Sequence, residues 1–269
     1  MILENDVIKS QYDIRDYKIN AATDLPKEYC LEVTVPVKDQ GYIGSCVAHA
    51  LASVIEYHYK RQHLTYEKFS TEFIYGYRPE GYYVGEGMRI RDALKTIQTY
   101  GNVFYGDCKG NHNHIYAMES VNEEWEKLKE LALPHRVSAY FRLYTEEEIK
   151  TALMTYGAVV VSMNTYEGAK LVNDVYTYDA SKDHGCHCVF IYGWNEQGWL
   201  VQNSWGAFWG GDGRFIIPFD YKFNEMWGIV DNITEGGELV KPKRNKVIDI
   251  IYSILNKLVN LYFSIINKA

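Results

Sequence analysis

A cysteine of this sequence follows a glycine-rich stretch and opens a predicted helix, which restricts both the fold and the chemistry of the chain. Residues 40–46 read Gln-Gly-Tyr-Ile-Gly-Ser-Cys, and the apolar residues that follow recur with a helical period over 46–62. Ser45 is the predicted N-cap, so Cys46 lies in the first turn. Unpaired N–H groups and the positive end of the helix dipole favour its thiolate there, which is the nucleophilic form. The same N–H groups can bind an oxyanion, and the Gln40 amide is a candidate second donor.

A histidine and an asparagine far downstream lie on two predicted strands of one hairpin. The strands cover 187–192 and 199–203. If the hairpin is symmetric about residue 195, His187 faces Asn203 with Cβ atoms roughly 4.5–5.5 Å apart. The asparagine carbonyl then accepts from one imidazole nitrogen and directs the other toward a thiol, as in a catalytic triad. Each residue alone is more often structural, but the three together favour catalysis.

Three segments of the chain resemble the papain-like cysteine peptidases (clan CA, family C1). Residues 36–46 are similar to the family's active-site segment, 187–193 to its histidine strand, and 202–210 to its Asn-Ser-Trp-Gly block. The histidine follows the cysteine by about 140 residues, as in the family. The similarity covers roughly residues 11–232. Since only 45 residues precede Cys46 and many of them belong to the fold, we expect no long removable pro-segment. The chain resembles prokaryotic or viral members more than lysosomal ones.

The resemblance implies a role for each matched residue. Cys46 would be the nucleophile and His187 the general base and acid. Asn203 would orient His187, and Gln40 would donate to the oxyanion. Trp205 would shield the hydrogen bond between His187 and Asn203 from water.

The resemblance also implies a substrate-binding set. Glu86 and Gly87 match the edge that pairs with the substrate backbone, and Gly87 is the weaker match. Cys186 precedes the histidine and is expected to line the cleft, and Trp205 is also expected to contact the substrate. A disulfide between Cys186 and Cys46 is a less favoured alternative.

The predicted fold class is α+β, with a papain-like two-lobe fold. A helical lobe over about 46–135 precedes an antiparallel, β-barrel-like lobe over about 136–232, and the active-site cleft lies between them. Further helices are predicted over 89–99 and 121–132, and another that begins with a capping box at Thr145-Glu146-Glu147-Glu148. Strands are predicted over 158–162 and 214–217. Residues 1–35 are predicted to be an extended segment before the peptidase domain at 36–232.

The C-terminal region has a different composition. Residues 233–246 resemble a basic linker, and 247–269 read as an amphipathic helix with a narrow polar face. Polar residues interrupt the helix too often for a membrane span. We expect residues 247–267 to contact the domain, another copy of the chain or a membrane surface.

Composition limits the partners and the compartment. The chain has 269 residues and a net charge of −7, which argues against nucleic acid as a partner. Its five cysteines are an odd number, and no secretory h-region follows Met1. We therefore expect free thiols and a cytoplasmic or virion-associated protein, held peripherally at a membrane if the C-terminal helix binds one.

Two alternative interpretations concern the base and a candidate metal site. His184 is a second candidate base, in the loop before the histidine strand. Zinc could take ligands from Cys108, His112 and His114, or from residues 184–188, although neither group has CxxC spacing. We predict no metal and no cofactor.

The sequence thus predicts a cysteine endopeptidase that hydrolyses polypeptides through a Cys46 acyl-enzyme with His187 as base and acid. Two alternatives stay open. One is a catalytically silent binding protein that keeps the cleft, and the other is an acyl transferase that uses the same thiolate.

Overall fold

Most helices of the chain precede most of its strands. The computed structural model describes residues 7–230 except 12, 14–15, 17–18, 33, 79–85 and 109–123. The described helices are α1 (Cys46–His63), α2 (Thr71–Gly76), α3 (Ile90–Thr99), α4 (Trp125–Ala132) and α5 (Glu146–Thr155). The predicted helices over 46–62 and 89–99 are confirmed to within one residue. The third predicted helix begins at Trp125, and 121–123 lie outside the described residues.

Helix α1 is a core helix rather than a surface one. Its first thirteen residues, 46–58, are all buried. Alanine, leucine and valine dominate this stretch, so it combines good helix propensity with an apolar surface on several sides. Leu64 ends the helix in a left-handed conformation, and its N–H donates to the Lys60 carbonyl at 2.9 Å.

Because His58 of α1 is buried, we expect the free energy of unfolding to decrease at acidic pH. Burial, with a smaller contribution from the Arg61 charge, lowers the pKa of His58 from 6.5 to about 3. Between these values the unfolded chain binds a proton that the folded chain does not, so stability present above pH 6.5 is lost as the pH falls toward 3. We expect the urea midpoint to fall between pH 7 and pH 4, and His58→Phe to reduce that fall. Equal pH slopes for the wild type and the variant would contradict this.

Helix α5 begins where its capping motif predicts. The Thr145 hydroxyl accepts from the Glu148 N–H at 3.2 Å, and the Glu148 carboxylate accepts from the Thr145 N–H at 3.4 Å. This is the reciprocal capping box, and it satisfies two donors that a helix start otherwise leaves unpaired. The prediction of a capping box is confirmed.

The strands form one mixed sheet. They are β1 (Tyr29–Cys30), β2 (Ala139–Arg142), β3 (Val159–Tyr166), β4 (Lys170–Val172), β5 (Val175–Thr177), β6 (His184–Asn195), β7 (Gly198–Gln202), β8 (Arg214–Ile217) and β9 (Glu225–Val230). Their order is β2-β9-β3-β6-β7-β8-β5-β4, and β1 pairs with β6. The strand predicted at 158–162 extends to Tyr166, and the strand at 214–217 is confirmed.

The α+β class is confirmed, whereas two details of the predicted strand lobe are wrong. The sheet is not purely antiparallel, because β5 and β8 pair in parallel at Val175 and Ile216. It is also not closed into a barrel, since β2 and β4 stand at opposite ends of the order and do not pair within the described residues. An irregular stretch follows β8 and lets β9 pair with β3, on the far side of the β6–β7 hairpin from β8. The sheet therefore stays open.

Alternating side chains of β6 supply both faces of the core. Cys188 and Phe190 belong to the apolar cluster that contains α1. Val189 and Ile191 belong to a second cluster that contains residues of α5. This alternation is the two-residue period of a strand that is covered on both faces. It places α1 directly on the strand that carries His187.

The β6–β7 hairpin is tighter than predicted, and the predicted register is wrong. Asn195 pairs with Gly198, and the Asn195 Oδ1 accepts from the Gly198 N–H at 3.2 Å, so the turn holds only two residues. A bulge between Ile191 and Gly193 then shifts the pairing. At Gly193 a Cβ atom would lie 2.3 Å from the Tyr29 carbonyl oxygen, so the close approach of β1 requires glycine there.

The structure describes much of the N-terminal segment but none of the residues after 230. Within residues 1–35, Val7 forms a bridge with Met88 and β1 joins the sheet, so this segment contributes to the fold. The predicted linker at 233–246 and helix at 247–269 lie outside the described residues. Contact of that helix with a membrane or another copy, the localisation and the domain boundaries stay predictions. None of the described helices has the length and apolar content needed to cross a membrane.

Candidate active site

Cys46 is the first residue of α1, and its side chain is fully buried. The Cys188 N–H donates to the Cys46 sulfur at 3.3 Å. This N–H belongs to the peptide unit that joins His187 to Cys188, so the thiol directly contacts the backbone that carries the imidazole. A hydrogen bond to sulfur also favours the thiolate over the thiol.

His187 is hydrogen-bonded to Asn203, as the triad hypothesis requires. The two residues are not, however, the cross-strand partners that the symmetric hairpin predicted. The His187 Nε2 lies 2.7 Å from the Asn203 Oδ1. A carbonyl oxygen can only accept, so Nε2 carries the hydrogen and the neutral ring has its lone pair on Nδ1. β7 ends at Gln202, so Asn203 follows the strand and is not the ladder partner of His187. The two side chains meet beyond the end of the ladder.

Two further contacts fix this pair. The Ser204 N–H donates to the Asn203 Oδ1 at 2.8 Å, which sets the orientation of the amide. The Trp205 ring stacks on the imidazole of His187, with ring centroids 4.5 Å apart and planes inclined by 28°. Trp209 meets Trp205 edge-on at 4.9 Å. Trp205 therefore covers one face of the histidine ring, and its shielding of the hydrogen bond from water stays a prediction.

The environment of His187 keeps it neutral. Burial lowers the pKa of His187 to about 4, and the hydrogen bond that its Nε2–H donates to Asn203 opposes this in part. The free imidazole is therefore unprotonated near neutral pH, where its Nδ1 lone pair can take a proton. A thiolate that forms beside it would stabilise the imidazolium.

Two backbone hydrogen bonds join the segment that carries Gln40 to the segment that follows Asn203. The Gln40 N–H donates to the Ser204 carbonyl at 2.8 Å, and the Gly206 N–H donates to the Lys38 carbonyl at 3.0 Å. The Gln40 side chain is also held, because its Oε1 accepts from the Ser204 hydroxyl at 2.6 Å and its Nε2 donates to the Ile43 carbonyl at 2.9 Å. The amide nitrogen thereby faces the loop that leads into α1.

Comparison with known families agrees with this geometry. The model of the papain family cysteine proteases matches residues 19–233, which is most of the chain. The chain belongs to the papain family. It is therefore a cysteine-type peptidase, and polypeptides are its class of substrate.

Relatives of this papain-family protein include viral and bacterial proteins. An uncharacterized peptidase C1-like protein of Acanthamoeba polyphaga mimivirus is 27% identical over 252 residues, which cover 83% of this chain and 78% of the relative. A viral cathepsin of Adoxophyes honmai nucleopolyhedrovirus is 24% identical over 199 residues, covering 67% of this chain and 52% of the relative. Among solved structures, xylellain, a cysteine protease from Xylella fastidiosa, has a TM-score of 0.75 at 22% identity and covers 86% of this chain and 98% of its own. At this identity the structural likeness shows the fold alone.

In the papain-family protein, the predicted substrate edge at Glu86 and Gly87 is joined to the loop before the nucleophile. The Gly44 N–H donates to the Glu86 carboxylate at 2.7 Å, and the Gly87 N–H donates to the Gly44 carbonyl at 3.1 Å. The Gly87 carbonyl accepts from Arg78 at 2.8 Å. The Gly87 N–H is thus already engaged, whereas its carbonyl oxygen keeps a second lone pair that a substrate N–H can use. The substrate-binding role of both residues stays a prediction.

Cys186 lies on β6 beside His187, within a polar group of side chains. Its sulfur is 3.8 Å from the Asn164 Oδ1 and 3.8 Å from the Asn224 Nδ2, which bond each other at 2.6 Å. Neither Cys186 nor Cys46 takes part in a disulfide in this structure, so the alternative disulfide is not formed. The predicted contact of Cys186 with substrate is untested by these distances.

The alternative base and the alternative zinc site can be located in part. His184 is the exposed first residue of β6, not a loop residue. The centroid of its ring lies 5.3 Å from that of the Tyr166 ring. Within the described ranges no three histidine, cysteine or acidic side chains lie where they could hold a metal ion. His112 and His114 fall in the gap at 109–123 and lie outside the described residues.

Sequence analysis missed a buried ion pair under the site. The Lys38 Nζ lies 2.5 Å from the Glu56 Oε1, and the Phe69 N–H donates to the same oxygen at 2.9 Å. Burial lowers the pKa of Lys38 and raises the pKa of Glu56, and each charge opposes the shift of the other. The pair ties α1 to the segment that carries Gln40. The available signal was a glutamate within the largely apolar, buried stretch of α1.

Proposed function

We propose that this protein is an endopeptidase in which Cys46 is the nucleophile and His187 is the general base and acid. The observation that carries the proposal is one cluster of contacts. The backbone beside His187 contacts the Cys46 sulfur at 3.3 Å, while the His187 Nε2 is held by Asn203 at 2.7 Å. This arrangement leaves the Nδ1 lone pair for the thiol proton.

The reaction would proceed through a thioester. His187 takes the thiol proton, and the sulfur attacks the peptide carbonyl carbon, so that a C–S bond forms and the carbonyl oxygen becomes an oxyanion. The N–H groups at the start of α1 and the Gln40 amide stabilise that charge. The C–N bond then breaks as His187 gives its proton to the leaving amine. Water attacks the thioester with His187 as base, which breaks the C–S bond and releases the acid and the free thiol.

Labelling with an epoxysuccinyl thiol-protease inhibitor tests the nucleophile. We expect modification at Cys46 alone, found by intact mass and peptide mapping, and none in Cys46→Ala. Cys30 is the matched control, because it is an exposed cysteine that the reagent can reach. Partial desolvation raises the pKa of its thiol, so it should react poorly. Cys30→Ala should label like the wild type. Modification at Cys30 instead of Cys46, or no modification of folded, reduced protein, would contradict the proposal and favour a silent binding protein.

Hydrolysis of a peptide blocked at both ends tests the class of peptidase. An endopeptidase cleaves it at an internal bond, and the products should stop forming in Cys46→Ala. Cleavage only of peptides with a free terminus would contradict the proposed internal cleavage. Formation of an amide with an added amine, without release of acid, would instead indicate acyl transfer.

A further inference from the structure

The N-cap residue of α1 does not cap its helix. A serine at this position usually accepts a hydrogen bond from the N–H two or three residues further on. In the described part of the chain, the Ser45 side chain makes no such bond, although Ser45 is the N-cap by position. Its hydroxyl instead lies 3.5 Å from the carbonyl oxygen of Ile43, a residue that precedes the helix. The predicted N-cap position is thus correct, and the expected cap bond is absent.

A histidine one turn further along explains this orientation. The His49 Nδ1 lies 3.0 Å from the Ser45 carbonyl oxygen and 3.2 Å from the Ser45 hydroxyl. Because the carbonyl can only accept, Nδ1 carries a hydrogen that it shares between the two oxygens. Both residues are buried, at 4% exposure for His49 and 5% for Ser45. The imidazole therefore engages the Ser45 hydroxyl through the same Nδ1–H that binds the Ser45 carbonyl oxygen.

We propose that His49 is a positioning residue that holds the Ser45 hydroxyl away from the first turn of α1. The N–H groups that a serine N-cap would bind then keep their partial positive charge available to the thiolate and to the oxyanion. A hydroxyl oxygen bound to them would place partial negative charge where the thiolate forms, and would weaken the stabilisation that the helix start provides. This inference rests on the proposed role of Cys46 as nucleophile.

Alkylation of Cys46 by iodoacetamide tests the inference without any peptide substrate. The second-order rate constant is measured from pH 5 to pH 9 by peptide mapping on the full chain. His49→Phe removes the Nδ1 donor and releases Ser45 to cap the helix. We expect the rate at neutral pH to fall about two- to fivefold, the size of a charge–dipole effect at a helix end, and the midpoint of the pH profile to rise. His49→Asn, which keeps an N–H donor near the Nδ1 position, should restore the rate.

The double variant separates positioning from packing. If His49 acts through the Ser45 hydroxyl, Ser45→Ala/His49→Phe should alkylate like Ser45→Ala alone. Equal losses in His49→Phe and in the double variant, or an unchanged pH midpoint in His49→Phe, would overturn the inference. If phenylalanine does not fit and the chain unfolds by circular dichroism, His49→Leu is used in the same comparison. A chain that shows the expected pattern but cleaves no peptide would support the role of His49 and contradict the proposed peptidase mechanism.

Discussion

Replacing His187 with alanine is expected to lower kcat/KM for peptide hydrolysis by about four orders of magnitude. The variant loses the base that takes the thiol proton and the acid that protonates the leaving amine. It also leaves the Asn203 carboxamide without its imidazole partner, which is bonded at 2.7 Å in the wild type. The measurement is hydrolysis of a blocked peptide with one cleavable bond, under conditions where the rate is proportional to enzyme concentration.

His184→Ala is the matched control for this prediction. His184 lies on the same strand and is exposed, whereas His187 is buried under Trp205. We expect the control to retain kcat/KM to within about twofold, as for a surface substitution. A large loss in His184→Ala together with a small loss in His187→Ala would reverse the assignment of the base.

Replacing Glu56 with glutamine is expected to lower the free energy of unfolding by about 3–5 kcal/mol, because the Lys38 charge would remain buried without its partner. The Glu56 side chain is fully buried and that of Lys38 is 8% exposed, so water cannot replace the lost carboxylate. The measurement is urea unfolding at pH 7, with the slope checked for two-state behaviour.

Two controls separate the buried ion pair from a general effect of charge. Glu126→Gln removes the partner of Lys129 in an exposed pair and should change stability by less than about 1 kcal/mol. Lys38→Met/Glu56→Leu removes both buried charges and should recover most of the lost stability, since apolar residues of similar volume avoid the desolvation cost. If the double variant is as unstable as Glu56→Gln, packing rather than the unpaired charge is responsible.

Features that depend on a few neighbouring residues could be predicted from the sequence. The capping box at Thr145 and the start of α1 at Cys46 each follow from a local pattern, and each is found where it was expected. The contact between His187 and Asn203 was also expected. It was inferred from a symmetric hairpin, however, and the observed pairs such as Phe190 with Gln202 exclude that register.

Features set by distant parts of the chain could not be predicted in this way. The bulge beside Gly193 depends on β1, which lies more than 160 residues earlier and passes within contact of that glycine. The open sheet depends on the pairing of β9 with both β2 and β3. The Lys38–Glu56 pair joins two segments whose closeness no periodicity reveals. In each case a tertiary contact decides among arrangements that the local sequence allows equally well.

The two-bond ladder between residues 38–40 and 204–206 also has a consequence for biosynthesis. The ribosome makes the cysteine segment early and the asparagine segment about 160 residues later, at roughly 5–20 residues per second. Until residue 206 has left the exit tunnel, the Lys38 carbonyl and the Gln40 N–H have no partner strand, and Asn203 is not yet available to hold His187. A nascent chain therefore carries its thiol for many seconds without the means to activate it. If Cys46 is the proposed nucleophile, its activation is thereby delayed until the segment that carries Asn203 has been made.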